Sequence, residues 1–218
     1  DLDRAVEAAV VARFTNCGQI CTCNERMYLH EAIADEFLSR FVEKARALTI
    51  GPGLEDPDLG PKVSKGEVDK VEALTAASIE AGAEVLLRGG PLREGRLAQG
   101  HFMAPTVLEV RSDDVPVMRE EVFGPVVAAR RVAGYEEALR LANDSDYGLS
   151  AYVWSRDLRR VFRAAEALNF GEIYCNRQNG ELVQGFHTGW GQSGLGGEDG
   201  KWGFDGYLRR KTMYVNWA

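Results

Sequence analysis

A cysteine follows a glycine turn near the beginning of this 218-residue chain. The run from Phe14 to Cys21 is FTNCGQIC, and Gly18 is expected to end a helix and turn the chain toward Cys21. A thiol beside a tight turn can stand clear of its backbone, and nearby N–H groups can lower its pKa and bind an oxyanion formed on its adduct. We therefore predict that Cys21 is a nucleophile. The alternative is a buried structural cysteine, a common position for free cysteines.

The remaining cysteines do not favour a metal site. Cys17 and Cys23 flank Cys21, so that three thiols lie within seven positions, whereas Cys175 is distant along the chain. A structural zinc site usually takes four ligands from two tight pairs, and this spacing supplies no second pair. No metal ion is therefore predicted.

The composition narrows the classes of partner. Hydrophobic residues make up 45% of the chain and the formal net charge is −7, which argues against a broad basic surface for nucleic acid or an anionic membrane. Three of residues 1–4 are charged, which is not typical of a secretory signal, and the apolar runs are too short to span a bilayer. Four cysteines are too few for a disulfide-dense secreted scaffold, so a cytoplasmic location is expected.

Strands and helices are predicted to alternate along the chain. Asp3 can cap the first helix, and Ile33, Phe37 and Phe41 begin an apolar face on the second. The alternation predicts an α/β fold with an open, largely parallel twisted sheet and helices on both faces. The expected strands are 26–30, 84–87, 106–110, 126–132, 150–154 and 172–175, and the expected helices are 3–14, 31–48, 64–81, 135–142 and 158–168.

Loops after strands are the first place to look for function, because ligands of open α/β sheets bind at the carboxyl ends of the strands. Three loops stand out: the Cys21 turn, residues 119–125 and the glycine-rich segment 185–206. Residues 211–217 alternate apolar and polar side chains, as in a half-buried strand. That strand could complete a sheet within this chain or pair with a neighbouring subunit or domain. One compact domain is the simplest organisation.

Four motifs together resemble the aldehyde dehydrogenase superfamily: FTNCGQIC, REEVFGPV at 119–126, NDSDYGLSAYVWSRD at 143–157 and SGLGGEDG at 193–200. NCGQICTCNER and QGFHTGW look like its bacterial lactaldehyde and glycolaldehyde dehydrogenase branch. The resemblance extends over essentially the whole chain. It implies a catalytic domain over 1–209 and a C-terminal β arm over 210–218 that joins subunits of a homo-oligomer.

The same resemblance implies the reaction and the coenzyme. Cys21 would attack the carbon of a small-molecule aldehyde to form a thiohemiacetal, hydride would pass to NAD or NADP, and water would release a carboxylic acid from the thioester. Glu121 would bind the nicotinamide ribose, Phe123 would pack on the nicotinamide, and Glu67 and Lys70 would lie near the adenosine ribose. Considered without the resemblance, Glu121 would be interpreted as a solvated acid in a loop and Phe123 as an aromatic ring in the core, since both are ordinary positions for these residue types.

Substrate contacts are implied at Glu181, Phe186, His187 and Thr22. In the lactaldehyde branch a glutamate and a histidine at the positions of Glu181 and His187 bind the hydroxyl end of the substrate, which favours a short 2-hydroxyaldehyde. The alternative for His187 is a loop histidine satisfied by backbone carbonyls. Thr22 differs from the asparagine of the branch, and Cys17 and Cys23 are expected to be packed neighbours of the nucleophile.

The family's coenzyme-binding domain, its general-base glutamate and its oxyanion-hole asparagine are expected outside this chain. No strand here leads through a phosphate-binding glycine turn into a helix. We therefore expect the chain to be nearly inactive as a dehydrogenase by itself. A non-catalytic assembly domain that retains the fold is the alternative.

Overall fold

The predicted α/β architecture is confirmed by the computed structural model, which describes residues 1–218. The six strands of four residues or more are β1 (Arg26–His30), β2 (Glu84–Leu87), β3 (Thr106–Val110), β4 (Val126–Val132), β5 (Ser150–Val153) and β6 (Glu172–Cys175). The α-helices are α1 (Leu2–Phe14), α2 (Glu31–Ala47), α3 (Lys65–Glu80), α4 (Pro116–Arg119), α5 (Tyr135–Asn143), α6 (Leu158–Ala167) and α7 (Gly200–Gly206).

Four of these strands form the main sheet, in the order β1, β4, β3, β2. β1, β4 and β3 are parallel, and β2 adds an antiparallel edge. β5 and β6 form a separate parallel pair in which Tyr152 lies opposite Tyr174. Three further pairs have two residues per strand, and one of them joins His187–Thr188 to Gly197–Glu198. The sheet is thus largely parallel, as predicted.

Helices cover both faces of the main sheet because its strands are apolar on both sides. Val127 and Ala129 of β4 pack with Phe37 and Phe41 of α2 in one hydrophobic core. The alternate residues of β4, Val126 and Ala128, pack in a second core with the buried side chains of α3 and α4. This period of two is the reason why β4 has an almost continuous apolar sequence.

Besides α4 and α7, which were not predicted, two details of the helices differ from the prediction. Asp1, not Asp3, caps α1, because its side chain accepts a hydrogen bond from the backbone N–H of Arg4 and the helix begins at Leu2. Ile33 is 44% exposed, whereas Phe37 and Phe41 are buried as expected. Ile33 lies in the first turn of α2, where the apolar face extends beyond the core.

The C-terminal residues do not form the predicted strand within this chain. Residues 208–218 contain no helix or strand, and Met213, Tyr214 and Trp217 are at least 80% exposed. An alternating pattern forms a strand only where a partner strand accepts and donates its backbone hydrogen bonds, and these residues pair with no strand of this chain. Of the two possibilities that the sequence left open, completion of a sheet within the chain is not observed.

None of the helices combines the length and the apolar composition needed to cross a membrane.

Candidate active site

The turn that leads to Cys21 is built from residues with positive φ. α1 ends at Phe14, and Asn16, Cys17 and Gly18 have φ values of 52°, 58° and 72°. A Cβ on Gly18 would lie 2.2 Å from the carbonyl oxygen of Gly124. Glycine is therefore required for the backbone conformation and for direct packing of this turn on the 119–125 loop.

The turn separates the thiols as predicted, because Cys21 is exposed while Cys17 and Cys23 are buried. The predicted lowering of the Cys21 pKa is wrong. Backbone hydrogen bonds do lower it, but partial burial has the larger effect and raises the pKa of Cys21 above its ordinary value. The negative charges of Glu181 and Glu121 raise it further.

A buried arginine joins the nucleophile turn to the 119–125 loop. The side chain of Arg13 is fully buried, and its guanidinium donates hydrogen bonds to the carbonyl oxygens of Asn24, Gly18 and Gly124 at 3.1, 3.1 and 2.7 Å. It also forms an ion pair with Glu25 at 3.0 Å. The planar guanidinium can bind several acceptors at once, and here it fixes both loops relative to each other.

Two further charged residues hold Phe123, whose backbone has a φ of 51°. The carboxylate of Glu25 accepts hydrogen bonds from the N–H groups of Val122 and Phe123 at 3.3 and 3.2 Å. The buried ammonium of Lys62 donates to the carbonyl oxygen of Phe123 and lies 5.5 Å from the centre of its ring. Phe123 is therefore fixed by its neighbours in a conformation that is uncommon for a bulky residue.

The predicted coenzyme residues lie together beside this loop. Desolvation is the main reason why the pKa of Glu121 is raised, and the charges of Glu25, Lys70 and Glu67 also act on it. Glu121 is exposed, as an acceptor for a bound diol must be, and Phe123 is half-buried. This set of groups fits a ribose with a planar ring beside it, since a carboxylate can accept two hydroxyl hydrogen bonds and an aromatic ring can stack on another ring.

The side chain of Thr22 does not face an open site. Thr22 is 1% exposed, and its carbonyl oxygen accepts a hydrogen bond from the hydroxyl of Tyr152. Tyr152 in turn stacks on Tyr174, with ring centres 5.1 Å apart. The predicted substrate contact of Thr22 is not present here, because its side chain packs in the interior.

Glu181 and His187 do come together, and a third residue joins them. The side chains of Glu172, Glu181 and His187 place their carboxylate or imidazole atoms within 4.8 Å of one another, a spacing that could also suit a divalent cation. Nδ1 of His187 lies 3.2 Å from Oε2 of Glu172. Phe186, the residue before His187, packs on Trp202 with ring centres 4.8 Å apart.

The sequence profile of the aldehyde dehydrogenase family matches residues 1–213. The chain belongs to the aldehyde dehydrogenase family. It is 45% identical to 3,6-anhydro-alpha-L-galactose dehydrogenase of Vibrio sp. strain EJY3, over 99% of this chain and 45% of the relative. It is 40% identical to lactaldehyde dehydrogenase of Escherichia coli K12, over 99% of this chain and 44% of the relative. The chain thus spans about half the length of these relatives.

Solved structures of the family have the same fold. Lactaldehyde dehydrogenase from Escherichia coli matches with a TM-score of 0.92 and 40% identity, over 99% of this chain and 45% of that one. A 3,6-anhydro-L-galactose dehydrogenase, solved in complex with NADP, matches with a TM-score of 0.92 and 44% identity, over 99% of this chain and 46% of that one. Family membership and fold class are therefore established independently of the site geometry.

A cleft of about 1100 Å³ opens beside the nucleophile of this aldehyde dehydrogenase chain. Cys21 and Glu121 line it together with Tyr152, Phe170 and Arg177, and the cleft continues between β1 and β5 along mostly apolar side chains. Glu181, Phe186 and His187 do not line this cleft, and neither does Phe123, so the cleft contacts the nucleophile without including the predicted substrate residues.

Five residues that shape the site were not predicted from the sequence: Arg13, Glu25, Lys62, Glu172 and Tyr174. A sequence signal exists only for Glu172 and Tyr174, which lie two residues apart on β6 and therefore present their side chains on the same face of the strand. Arginine, glutamate and lysine are usually exposed, so Arg13, Glu25 and Lys62 give no sign of a buried role in the sequence. Each has a hydrogen-bond partner between 61 and 111 residues away along the chain.

Proposed function

We propose that this chain is the catalytic part of an NAD- or NADP-dependent aldehyde dehydrogenase that oxidises a short 2-hydroxyaldehyde to the carboxylic acid. The observation that supports this most is the exposed Cys21 thiol on a turn that Arg13 ties to the loop of Glu121 and Phe123. A nucleophile and a coenzyme-binding loop held at a fixed distance are what a hydride-transfer reaction on a covalent adduct requires.

In the proposed reaction, Sγ of Cys21 forms a bond to the aldehyde carbon and the carbonyl oxygen takes the electron pair as an oxyanion. The backbone N–H groups of Cys21 and Thr22, which already lower the thiol pKa, are donors at this turn. Collapse of the thiohemiacetal expels hydride and leaves a thioester. Water then adds to the thioester carbon, the C–S bond breaks, and the acid and the thiol are released.

The nicotinamide coenzyme would accept the hydride. Phe123 would pack against its ring and Glu121 would accept hydrogen bonds from the ribose hydroxyls, with Glu67 and Lys70 on the adenosine side. One relative, from Thermoplasma acidophilum, is named D-glyceraldehyde dehydrogenase (NADP(+)), and the proposed coenzyme of this chain is NAD or NADP. The coenzyme domain, the base that deprotonates Cys21 and activates water, and the oxyanion-hole amide are proposed to lie outside it.

Glu181 and His187 would bind the 2-hydroxyl group of the substrate. Lactaldehyde and D-glyceraldehyde, after which two relatives are named, are 2-hydroxyaldehydes. An alkyl aldehyde would leave the two polar side chains without a partner, which disfavours it in the transition state. Phe186, packed on Trp202, would support the His187 side of the pocket.

We also propose that residues 210–218 join copies of the enzyme into a homo-oligomer. Their apolar side chains are exposed and their backbone has no partner strand. Adding such a segment to the sheet of another copy would bury its apolar side chains and supply partners for its backbone hydrogen-bonding groups. The cytoplasmic location stays a prediction.

The test compares two substrates in the full-length enzyme that contains this chain. With His187→Ala, kcat/KM for lactaldehyde should fall about tenfold or more, while that for propanal should change much less, since only the first substrate loses a hydrogen bond. His101→Ala serves as the matched control, because His101 is exposed and the substitution keeps its backbone carbonyl, which accepts a hydrogen bond from the N–H of Lys62. Equal changes for both substrates would contradict the proposed role of His187.

Cys21 and the completeness of the site are tested by NADH absorbance. Cys21→Ser should abolish oxidation of both aldehydes in the full-length enzyme, because a hydroxyl is a much weaker nucleophile than a thiolate. The chain alone should give almost no NADH from glycolaldehyde and NAD. Turnover comparable to that of the full-length enzyme would show that the proposed division of the active site is wrong.

A further inference from the structure

Glu172 lies on β6, outside the four family motifs, and its carboxylate reaches the imidazole of His187. Glu172 and Tyr174 project from the same face of the strand because side chains alternate along it. The side chain of Glu172 is 13% exposed, and Tyr174 is buried. A carboxylate this well shielded from water needs hydrogen-bond donors around it.

Two donors face the same oxygen of that carboxylate. The hydroxyl of Tyr174 donates to Oε2 of Glu172 at 3.0 Å, and Nδ1 of His187 lies 3.2 Å from the same atom. The imidazole is not aligned for a linear bond, yet Nδ1 is buried and has no other polar partner. A small rotation of the ring would complete the bond, as polar contacts in active sites often do when substrate binds.

We propose that Glu172 is a positioning residue that accepts a hydrogen bond from Nδ1–H of His187 and thereby presents Nε2 as an acceptor to the 2-hydroxyl group of the substrate. This inference rests on the proposed function and specifies how its substrate is recognised. A histidine nitrogen can accept a hydroxyl hydrogen bond only if the proton is on the other nitrogen. A carboxylate at Nδ1 imposes that arrangement, as it does for histidines that bind metals through Nε2.

The surroundings of Glu172 fit this role better than a direct contact with substrate. Glu181 is exposed and belongs to the loop, so it can approach a ligand, whereas Glu172 is fixed on a strand with one oxygen already occupied by Tyr174. Burial, followed by the charge of Glu172, raises the pKa of Tyr174, so its hydroxyl remains a donor. Tyr174 also stacks on Tyr152, which bonds to the carbonyl of Thr22 beside the nucleophile.

The first test is kinetic and uses the full-length enzyme. Glu172→Ala should lower kcat/KM for lactaldehyde about tenfold more than for propanal, because only the hydroxyl contact depends on the orientation of His187. Glu172→Gln should retain most of the preference, since its amide oxygen can still accept from Nδ1–H. Glu84→Ala, an exposed glutamate at the start of β2, is the matched control. An equal loss for both substrates would overturn the proposal and indicate a merely structural role.

The second test does not depend on activity. Nitrogen NMR of the histidine-labelled full-length enzyme can show which ring nitrogen of His187 carries the proton, since the His187 signals are identified by their loss in His187→Gln. We expect Nδ1 in the wild type and a shift toward Nε2 in Glu172→Ala. An unchanged tautomer would overturn the proposal even if His187 proves to select the substrate. Conversely, if His187→Ala leaves the substrate preference unchanged, the proposed role of His187 in substrate recognition is wrong. The NMR measurement still tests, separately, whether Glu172 fixes the tautomer of His187.

Discussion

Replacing Arg13 by methionine should separate the two loops of the site and strongly destabilise the protein. The fully buried guanidinium pairs with Glu25 and satisfies the carbonyls of Gly18 and Gly124. Removing one member of a buried ion pair costs about 3–5 kcal/mol, because the other charge stays behind without its partner. Glu25 is 23% exposed and can be partly hydrated, so we expect the lower end, about 3 kcal/mol.

This loss can be measured by thermal unfolding. For a domain of this size, about 3 kcal/mol corresponds to a Tm lowered by roughly 6–12 °C. Arg46→Met is the matched control, because Arg46 also lies in the last turn of a helix but is exposed, and it should cost no more than about 0.5 kcal/mol. Arg13→Met combined with Glu25→Gln should cost less than the two changes added together. Equal Tm values for Arg13→Met and Arg46→Met would refute the assignment of Arg13 as the link between the loops.

Two other predictions concern the nucleophile turn. Iodoacetamide should modify Cys21 before Cys175 and well before the buried Cys17. Because only the thiolate reacts, the rate should rise as the pH approaches the raised pKa of Cys21. The labelled peptides are identified by mass spectrometry, and modification of Cys17 first would contradict the geometry. Gly18→Ala should lower the free energy of unfolding, measured by chemical denaturation, by more than about 2 kcal/mol, because Gly18 has a positive φ and an added Cβ would lie 2.2 Å from the facing loop. Gly60→Ala is the control and should be nearly neutral, because no heavy atom lies within 4 Å of its added Cβ. Equal losses would show that the close packing of the turn is not what requires glycine.

The sequence allowed most of the fold to be predicted because its apolar periodicities are strong. β4 contains residues for both cores in alternation, and its bounds and those of β1, β2, β3 and β6 agree with the prediction. Periodicity alone was less reliable where tertiary context decides. Ile33 has the helical spacing of a core residue, but the core ends before it, and residues 211–217 have the alternation of a strand without a strand to pair with.

The candidate site was predictable to the extent that its residues lie within motifs. Cys21, Glu121, Glu181 and His187 were all proposed from the sequence, and the charges of the two glutamates act on the thiol. The residues that hold these groups in place were not predictable, because burial of a charged side chain depends on partners distant in sequence. Lys62 is an example, since its buried ammonium donates a hydrogen bond to the carbonyl oxygen of Phe123, 61 residues away.

The wrong expectation for the thiol pKa changes how the site is understood. A fixed backbone turn can place Cys21 beside the coenzyme loop, but in this chain burial and the charges of Glu181 and Glu121 raise the pKa of the thiol. Position and activation of the nucleophile are therefore separate properties, and only the first is provided by Arg13 and Gly18. Activation requires either a base that removes the proton or a positive group that offsets the carboxylates. A full-length enzyme in which Cys21 reacts faster with iodoacetamide than it does in this chain, at the same pH, would locate that activation in the remainder of the protein.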